Sequence, residues 1–150
     1  MKTILAPIDF SGVSDAVVKY AVNLTQAVGG RLVLLHVVQP PIITSEYGAV
    51  MANIQEIVAV SEKTARKQLE RHRTRLLKTG LKVSVAQITG APVLNILEQA
   101  AKRRAAYIVM GSHGHSALYD LLAGSTTTGV LRRSPCPVLV VPPPPKKKSK

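Results

Sequence analysis

The sequence predicts an α/β protein with one open, mainly parallel sheet, helices on both faces and a doubly wound strand order. Short, nearly continuous apolar runs alternate with longer segments of helical periodicity, which is typical of parallel strands covered on both faces and joined by crossover helices. The 150 residues, 46% of them hydrophobic, suffice for one domain with its own core. Because such crossovers are right-handed, a doubly wound order follows.

Two strands and two helices are predicted in the first half of the chain. The apolar run Thr3–Ile8 ends at Asp9, and Ser11 or Ser14 is expected to cap the helix that follows. Gly29 ends this helix. The predicted elements are a strand at 3–8, a helix with apolar positions between 17 and 28, a strand at 31–38, and a long helix from 54 to 80.

The second half adds three predicted strands, two helices and a tail. Residues 81–88 alternate at first between apolar and polar side chains, which suits a strand at a sheet edge. The predicted elements are a strand at 81–88, a helix beginning at Pro92, a strand at 106–110, a helix at 129–133, and a strand at 137–141. Residues 143–150 are rich in proline and lysine, so we expect a disordered tail and a single domain over 1–142.

A glycine- and hydroxyl-rich stretch follows the strand at 106–110. Gly111, Gly114 and Gly124 are followed at once by the hydroxyl residues 125–128 and by a helix. Glycines allow close approach of the backbone, and N–H groups at a helix start bind anions. We therefore predict a phosphate-binding segment; the alternative is a helix N-cap after an ordinary loop.

Further candidate residues lie where the predicted strands end. Asp9, Val38, Gly90 and the loop at Gly111 all follow strands. In a doubly wound sheet, ligands bind outside the carboxyl ends of the strands, where the strand order reverses. The Asp9 carboxylate can contact ribose hydroxyls or cap the turn before the first helix, and the sequence leaves both roles open.

The remaining titratable groups favour structural roles. His36 lies inside an apolar strand and is expected to be a hydrogen-bonded core residue. His113 and His115 can each donate to a phosphate or be solvated, Asp120 is expected to be exposed, and Cys136 is expected to be a small apolar residue with no activating neighbour. Their spacing matches no metal site, so Mg²⁺ would arrive only as a bridge between phosphates.

The net charge of +12 attracts polyanions. The long helix carries a cationic face, with Glu62 and Arg66 spaced for an ion pair. Five aromatic residues, and no helix-turn-helix or zinc-finger pattern, make a nucleic acid an unfavoured partner.

The sequence also lacks a P-loop, a Gly-x-Gly-x-x-Gly after its first strand, and any apolar run of about 20 residues. A lone cysteine and no signal-peptide pattern favour a reducing, cytoplasmic location.

The glycine stretch resembles the universal stress protein family, specifically its ATP-binding branch. The motif of that branch is Gly, two residues, Gly, nine residues, Gly and then Ser or Thr, and it is matched by Gly111, Gly114, Gly124 and Ser125. The resemblance implies a five-stranded, Rossmann-like parallel sheet of the adenine nucleotide alpha hydrolase-like kind. It also implies bound ATP and a homodimer paired through the last strand, Val138–Val141.

The resemblance further implies which residues surround the nucleotide. They are Pro7, Ile8 and Asp9 at the adenosine end, the main chain of Val38 at the adenine, Met110 and Gly111 at the ribose side, and His113, Gly114, Gly124, Ser125, Thr126 and Thr127 around the phosphates. One departure is Ala106, where many members carry an acidic residue.

The expected function is that of an ATP-binding, nucleotide-dependent regulatory protein of the stress response. AMP and cyclic AMP offer the same adenosine and a phosphate, so they remain alternatives to ATP. No catalytic residue is assigned, because no lysine or general base is placed for phosphoryl transfer. The alternatives are a slow ATPase and a basic interaction module for nucleic acid or an anionic membrane.

Overall fold

The computed structural model describes residues 1–42, 51–114 and 123–145, with side chains from residue 53 onward in the middle range. Five strands and four helices alternate in this part of the chain. They are β1 Thr3–Pro7, α1 Ser14–Ala27, β2 Arg31–Val38, α2 Met51–Leu77, β3 Val83–Thr89, α3 Pro92–Lys102, β4 Ala105–Gly111, α4 Ser125–Arg133 and β5 Val138–Val141.

The strands form one parallel sheet in the order β3-β2-β1-β4-β5. β2 and then β3 lie on one side of β1, and β4 and then β5 lie on its other side. This confirms the predicted doubly wound α/β fold and places β3 at a sheet edge. The strand order reverses between β1 and β4, which is where such sheets open a crevice for a ligand.

Both faces of the sheet are covered, which explains the continuous apolar runs. Successive side chains of a strand point to opposite faces. Ile4 and Ala6 therefore pack with α1 and α2, whereas Leu5 packs with α3 and α4, and none of the three is exposed to solvent. Among the described residues, no helix is long and apolar enough to cross a membrane.

Some helix details differ from the predictions. The hydroxyl residues that begin at Ser125 form the first turn of α4 instead of preceding it. At the start of α1, the N-cap is Val13, and neither Ser11 nor Ser14 caps it with a side-chain hydrogen bond. The tail prediction for 143–150 falls largely outside the described residues, and 143–145 lie in neither a helix nor a strand.

The predicted ion pair on the long helix is also absent. Glu62 Oε1 accepts a hydrogen bond from Thr89 Oγ1 at 2.5 Å and does not pair with Arg66. The pair that α2 does form within its described part is Arg73–Glu70, at 3.1 Å. It is exposed, so its contribution to stability is small.

We expect Leu34→Ala to lower the free energy of unfolding by about 2–5 kcal/mol, because it leaves a cavity at a fully buried position of β2. Leu34 has no solvent exposure. Leu94→Ala is the matched control, since the Leu94 side chain is 57% exposed, and should change stability by less than about 0.5 kcal/mol. Urea unfolding of both variants tests this, and equal losses would contradict the packing described.

Candidate functional site

A cavity of about 820 Å³ opens at the carboxyl ends of the strands, beside the point where the strand order reverses. Its size is typical of sites for small-molecule ligands. The structure brings every residue of the expected nucleotide site to its wall. These residues are Pro7, Ile8, Asp9, Val38, Met110, Gly111, His113, Gly114, Gly124, Ser125, Thr126 and Thr127.

Hydrogen bonds hold the loop residues next to the start of α4. The Gly124 N–H donates to the Ser112 carbonyl at 2.7 Å, and the Ser112 N–H donates to the Val141 carbonyl at 2.8 Å. The Thr127 hydroxyl donates to the Gly111 carbonyl at 2.7 Å. The ends of β4 and β5 and the first turn of α4 are thus joined, and the hydroxyl hydrogen of Thr127 is used in this contact.

The first turn of α4 forms part of the cavity wall. Gly124 is the N-cap, in an extended conformation, and as a glycine it has no side chain that could bond to the N–H groups of the turn. Ser125, Thr126 and Thr127 follow it and line the cavity. The N–H groups at a helix start carry a partial positive charge and have no partner within the helix. This turn is therefore suited to an anion.

The Asp9 carboxylate organises the other side of the crevice. Its Oδ1 accepts hydrogen bonds from the Ser11 N–H at 3.0 Å and the Ser14 hydroxyl at 3.2 Å. The Asp9 carboxylate therefore caps the turn before α1, which is one of the two roles that the sequence left open. Its Oδ2 lies against the Cα of Gly114, where a Cβ would collide with it. A glycine is needed there because the loop after β4 passes this close to Asp9.

Two histidines at the cavity are held by neighbouring polar groups. His36 Nδ1 donates to the Ile8 carbonyl at 2.8 Å, which confirms the predicted hydrogen-bonded role. His113 is buried, and its Nδ1 lies 2.9 Å from the Ser112 hydroxyl. His115 and Asp120 lie outside the described residues. Within the described ranges, no cluster of His, Cys, Asp and Glu could hold a metal ion.

Sequence reasoning missed Phe10 as a wall of the cavity. Its backbone adopts a φ of 60°, in the left-handed region. The Phe10 ring lies 4.6 Å from the His36 ring and 6.4 Å from the His72 ring, measured between centroids. The signal was its position directly after Asp9, but the stacking depends on two residues that are distant in sequence.

A face of α2 was also missed. Val60, Thr64 and Gln68 repeat every four residues and line the cavity with Ser61 and Ala65. This uncharged stripe lies on a helix that is otherwise rich in lysine and arginine, and that contrast was the available signal. Among the described lining residues there is no lysine or arginine.

Cys136 lies outside the cavity wall and is not a nucleophile candidate. Burial raises the pKa of its thiol above the usual range, and hydrogen bonds with Ser134 and the Ile108 backbone offset only part of that effect. The thiolate is the reactive form of cysteine. Its side chain packs against the core on the α3 and α4 face, in line with the structural role expected from the sequence.

We expect Gly114→Ala to lower the free energy of unfolding by about 1–3 kcal/mol, because the new Cβ displaces the Asp9 carboxylate from its hydrogen bonds. Gly12→Ala is the matched control, since a Cβ at Gly12 meets nothing within 4 Å. Chemical denaturation compares the two variants. A loss at Gly12 as large as that at Gly114 would contradict the steric explanation.

Below about pH 6.5, we expect the free energy of unfolding to decrease as the pH is lowered, partly because His72 must become protonated. Burial, and then the neighbouring Arg75, lower the pKa of His72, whereas Asp15 raises it. A lowered pKa in the folded state means that the unfolded chain binds the proton first, so the contribution is present above pH 6.5 and is lost as pH falls. His72→Gln should flatten the acidic limb of the stability curve measured by urea unfolding. An unchanged limb would contradict the lowered pKa.

Comparisons with known proteins identify the same family that the glycine motif resembles. The universal stress protein family model matches residues 1–142. Universal stress protein YxiE of Bacillus subtilis is 31% identical over 141 residues, covering 91% of this chain and 95% of YxiE.

Solved structures agree with this relationship. The structure of MJ0577, a universal stress protein of Methanocaldococcus jannaschii, has a TM-score of 0.82 at 30% identity and covers 97% of this chain and 98% of its own. UspA of Lactobacillus plantarum has a TM-score of 0.82 at 26% identity and covers 93% of this chain and 97% of its own. A universal stress protein in complex with cAMP shares the fold, with a TM-score of 0.66 at 24% identity and coverage of 95% and 98%. The chain belongs to the universal stress protein family.

Proposed function

We propose that the cavity binds an adenine nucleotide, with ATP as the favoured ligand, and that the protein is a nucleotide-dependent regulator of a stress response. The observation that carries the proposal is that the first turn of α4 and the loop Gly111–Gly114 face the same cavity as Asp9 and the end of β2. A site for anionic groups thus lies next to a site with polar and apolar walls. The adenosine and phosphates of one nucleotide need this combination.

The phosphate end would be bound mainly by the protein backbone. Donors would come from the N–H groups at the start of α4 and from the hydroxyls of Ser125 and Thr126, with His113 beside them. Hydrogen bonds to charged groups contribute about 1.5–3 kcal/mol each. A few of them support binding in the micromolar range, about −8 kcal/mol.

The adenine would meet the main chain of β2, and the hydrogen bonds point to Val37 for this contact. The Val38 carbonyl accepts the Gly90 N–H at 2.9 Å, on the β3 side. The Leu35 carbonyl accepts the Ile8 N–H at 2.8 Å, on the β1 side. Main-chain groups of a parallel strand alternate between its two neighbours. Those of Val37 thus face the β1 side, beyond the end of that strand, and Val37 lines the cavity. We propose Val37 in place of Val38.

The proposal favours holding ATP over hydrolysing it. No lysine or arginine is present among the described residues of the cavity wall, so no such cation there would stabilise charge on a transferring phosphoryl group. Mg²⁺ would bind through the phosphates and water. The slow ATPase alternative requires turnover well above the uncatalysed rate.

The proposed assembly is a homodimer paired through β5. This strand is the last in the sheet order, and its Leu139 side chain is 40% exposed. An edge strand offers unpaired main-chain groups to a second copy. The proposed dimer leaves the cavity between β1 and β4 accessible, because the pairing uses the far edge of the sheet.

Calorimetric titration with ATP and Mg²⁺ tests the nucleotide site. We expect Thr126→Val to weaken binding by about 10-fold or more, because it removes a hydroxyl that contacts phosphate while keeping the side-chain shape. Thr128→Val is the matched control, since Thr128 lies in the same turn but does not line the cavity.

Binding of ATP in the micromolar range, with competition by AMP and cyclic AMP, would identify the preferred nucleotide. The absence of heat at millimolar ATP, together with no nucleotide released from freshly purified protein, would refute the proposal. Equal effects of the two threonine substitutions would refute the placement of the phosphates.

A further inference from the structure

Six basic residues of the described chain lie at the edge of the sheet opposite the cavity. All strands are parallel, so their amino ends share this edge. We call the group the amino-edge cluster. Its members are Lys2, Arg31, Lys78, Lys82, Arg103 and Arg104. All except Arg103, which is partly buried, are exposed.

Four members form a row along the strand starts. The Lys2 carbonyl accepts the Arg31 N–H at 2.9 Å, and the Lys82 carbonyl accepts the N–H of Leu32 at 2.9 Å. Arg104 directly precedes β4, which pairs with β1 on the other side of Lys2. Neighbouring strands lie about 4.8 Å apart, so the row spans roughly 15 Å. The main chains of neighbouring members are therefore closer than the Debye length of about 8 Å at physiological salt.

The two remaining members extend the row to the helices on both faces of the sheet. Lys78 follows α2, which packs on one face of the sheet, and Arg103 is the C-cap of α3, which packs on the other face. Basic groups thus come from the sheet and from both helical layers. Leu77, an apolar side chain that is 43% exposed, lies next to Lys78.

Carboxylates do not neutralise this cluster within the described part of the chain. Arg31 Nε donates to the Thr3 hydroxyl at 2.8 Å, and Arg103 Nε donates to Gln99 Oε1 at 2.9 Å, and both acceptors are uncharged. The carboxylate nearest in sequence is Glu98, which lies one turn before Lys102. The other described carboxylates are Asp9, Asp15, Glu56, Glu62 and Glu70.

Helix stabilisation explains only part of the cluster. Cations near a helix C-terminus offset its partial negative charge, which accounts for Lys78 and Arg103. The four members at strand starts have no such explanation, because sheets have only a small net dipole. Among the described residues no carboxylate forms an ion pair with the row, and an external anionic surface would offset its charge.

We propose that the amino-edge cluster docks the protein on an anionic lipid surface, with the nucleotide cavity facing away from the membrane. Exposed cations from the sheet and from both helical layers complement an anionic lipid surface, and Leu77 can contact the headgroup region. Nucleic acid fits less well. Helix C-termini point to this edge and bring carbonyls instead of the N–H donors that bind phosphates.

Vesicle co-sedimentation of the full chain tests the proposal. The probes are phosphatidylcholine vesicles with and without phosphatidylserine, at about 0.15 M salt. The test variant is Lys2→Gln, Lys78→Gln and Lys82→Gln combined. We expect binding only with phosphatidylserine, and a fall in affinity of roughly 100-fold in the variant, since each basic side chain near an anionic leaflet contributes about a factor of five.

The matched control combines Lys63→Gln, Lys67→Gln and Arg71→Gln, which removes the same charge from exposed positions of α2. Its affinity should fall by less than about fivefold, and thermal unfolding checks that both variants fold. Equal losses in the two variants would show a response to net charge alone and overturn the proposal. The absence of vesicle binding, or vesicle binding that does not depend on phosphatidylserine, would also overturn the proposal. So would a cluster variant that loses duplex DNA binding, while the control variant keeps it, and that still binds vesicles as well as the unmodified protein does.

Discussion

Parallel pairing around a central strand with a fully buried middle is the constraint on which the rest of this structure depends. β1 pairs with β2 on one side and β4 on the other, and its residues Ile4, Leu5 and Ala6 have no solvent exposure. Because the chain reverses its direction of growth at this strand, the helices diverge there and leave a crevice. Because all strands are parallel, one edge of the sheet collects every carboxyl end and the opposite edge collects every amino end.

Because all strands run in one direction, the two edges of the sheet carry different chemical groups. The carboxyl edge offers backbone N–H groups, hydroxyls and one organised carboxylate, with no lysine or arginine among the described cavity residues. The amino edge carries exposed cations without carboxylate partners in the described chain. A backbone-lined anion site holds a phosphate by fixed geometry, whereas exposed cations attract an anionic surface at longer range. The proposed nucleotide site and the proposed lipid-docking surface thus lie at opposite edges of the sheet, so the two would not compete for space.

Much of the fold was predictable from the sequence because local patterns report burial directly. The apolar runs at 3–8 and 31–38 correspond to strands covered on both faces, and the periodic segments correspond to α1, α2 and α3. The start of α4 was misplaced because Ser and Thr are typical of caps and turns. Here the Thr127 hydroxyl bonds the Gly111 carbonyl, so a contact across the fold allows a helical turn that local preference does not favour.

The sequence by itself determined the α/β class, the glycine spacing that indicates the phosphate site, and the family. These features depend on neighbours along the chain, so a single sequence can report them. Only the tertiary structure decided which main-chain groups of β2 face the cavity, that Phe10 and a stripe of α2 form its walls, and that cations from separate segments meet at one edge. Sheet register and helix packing bring those residues together across long sequence separations, so a local signal such as the uncharged stripe of α2 does not by itself say what the stripe contacts.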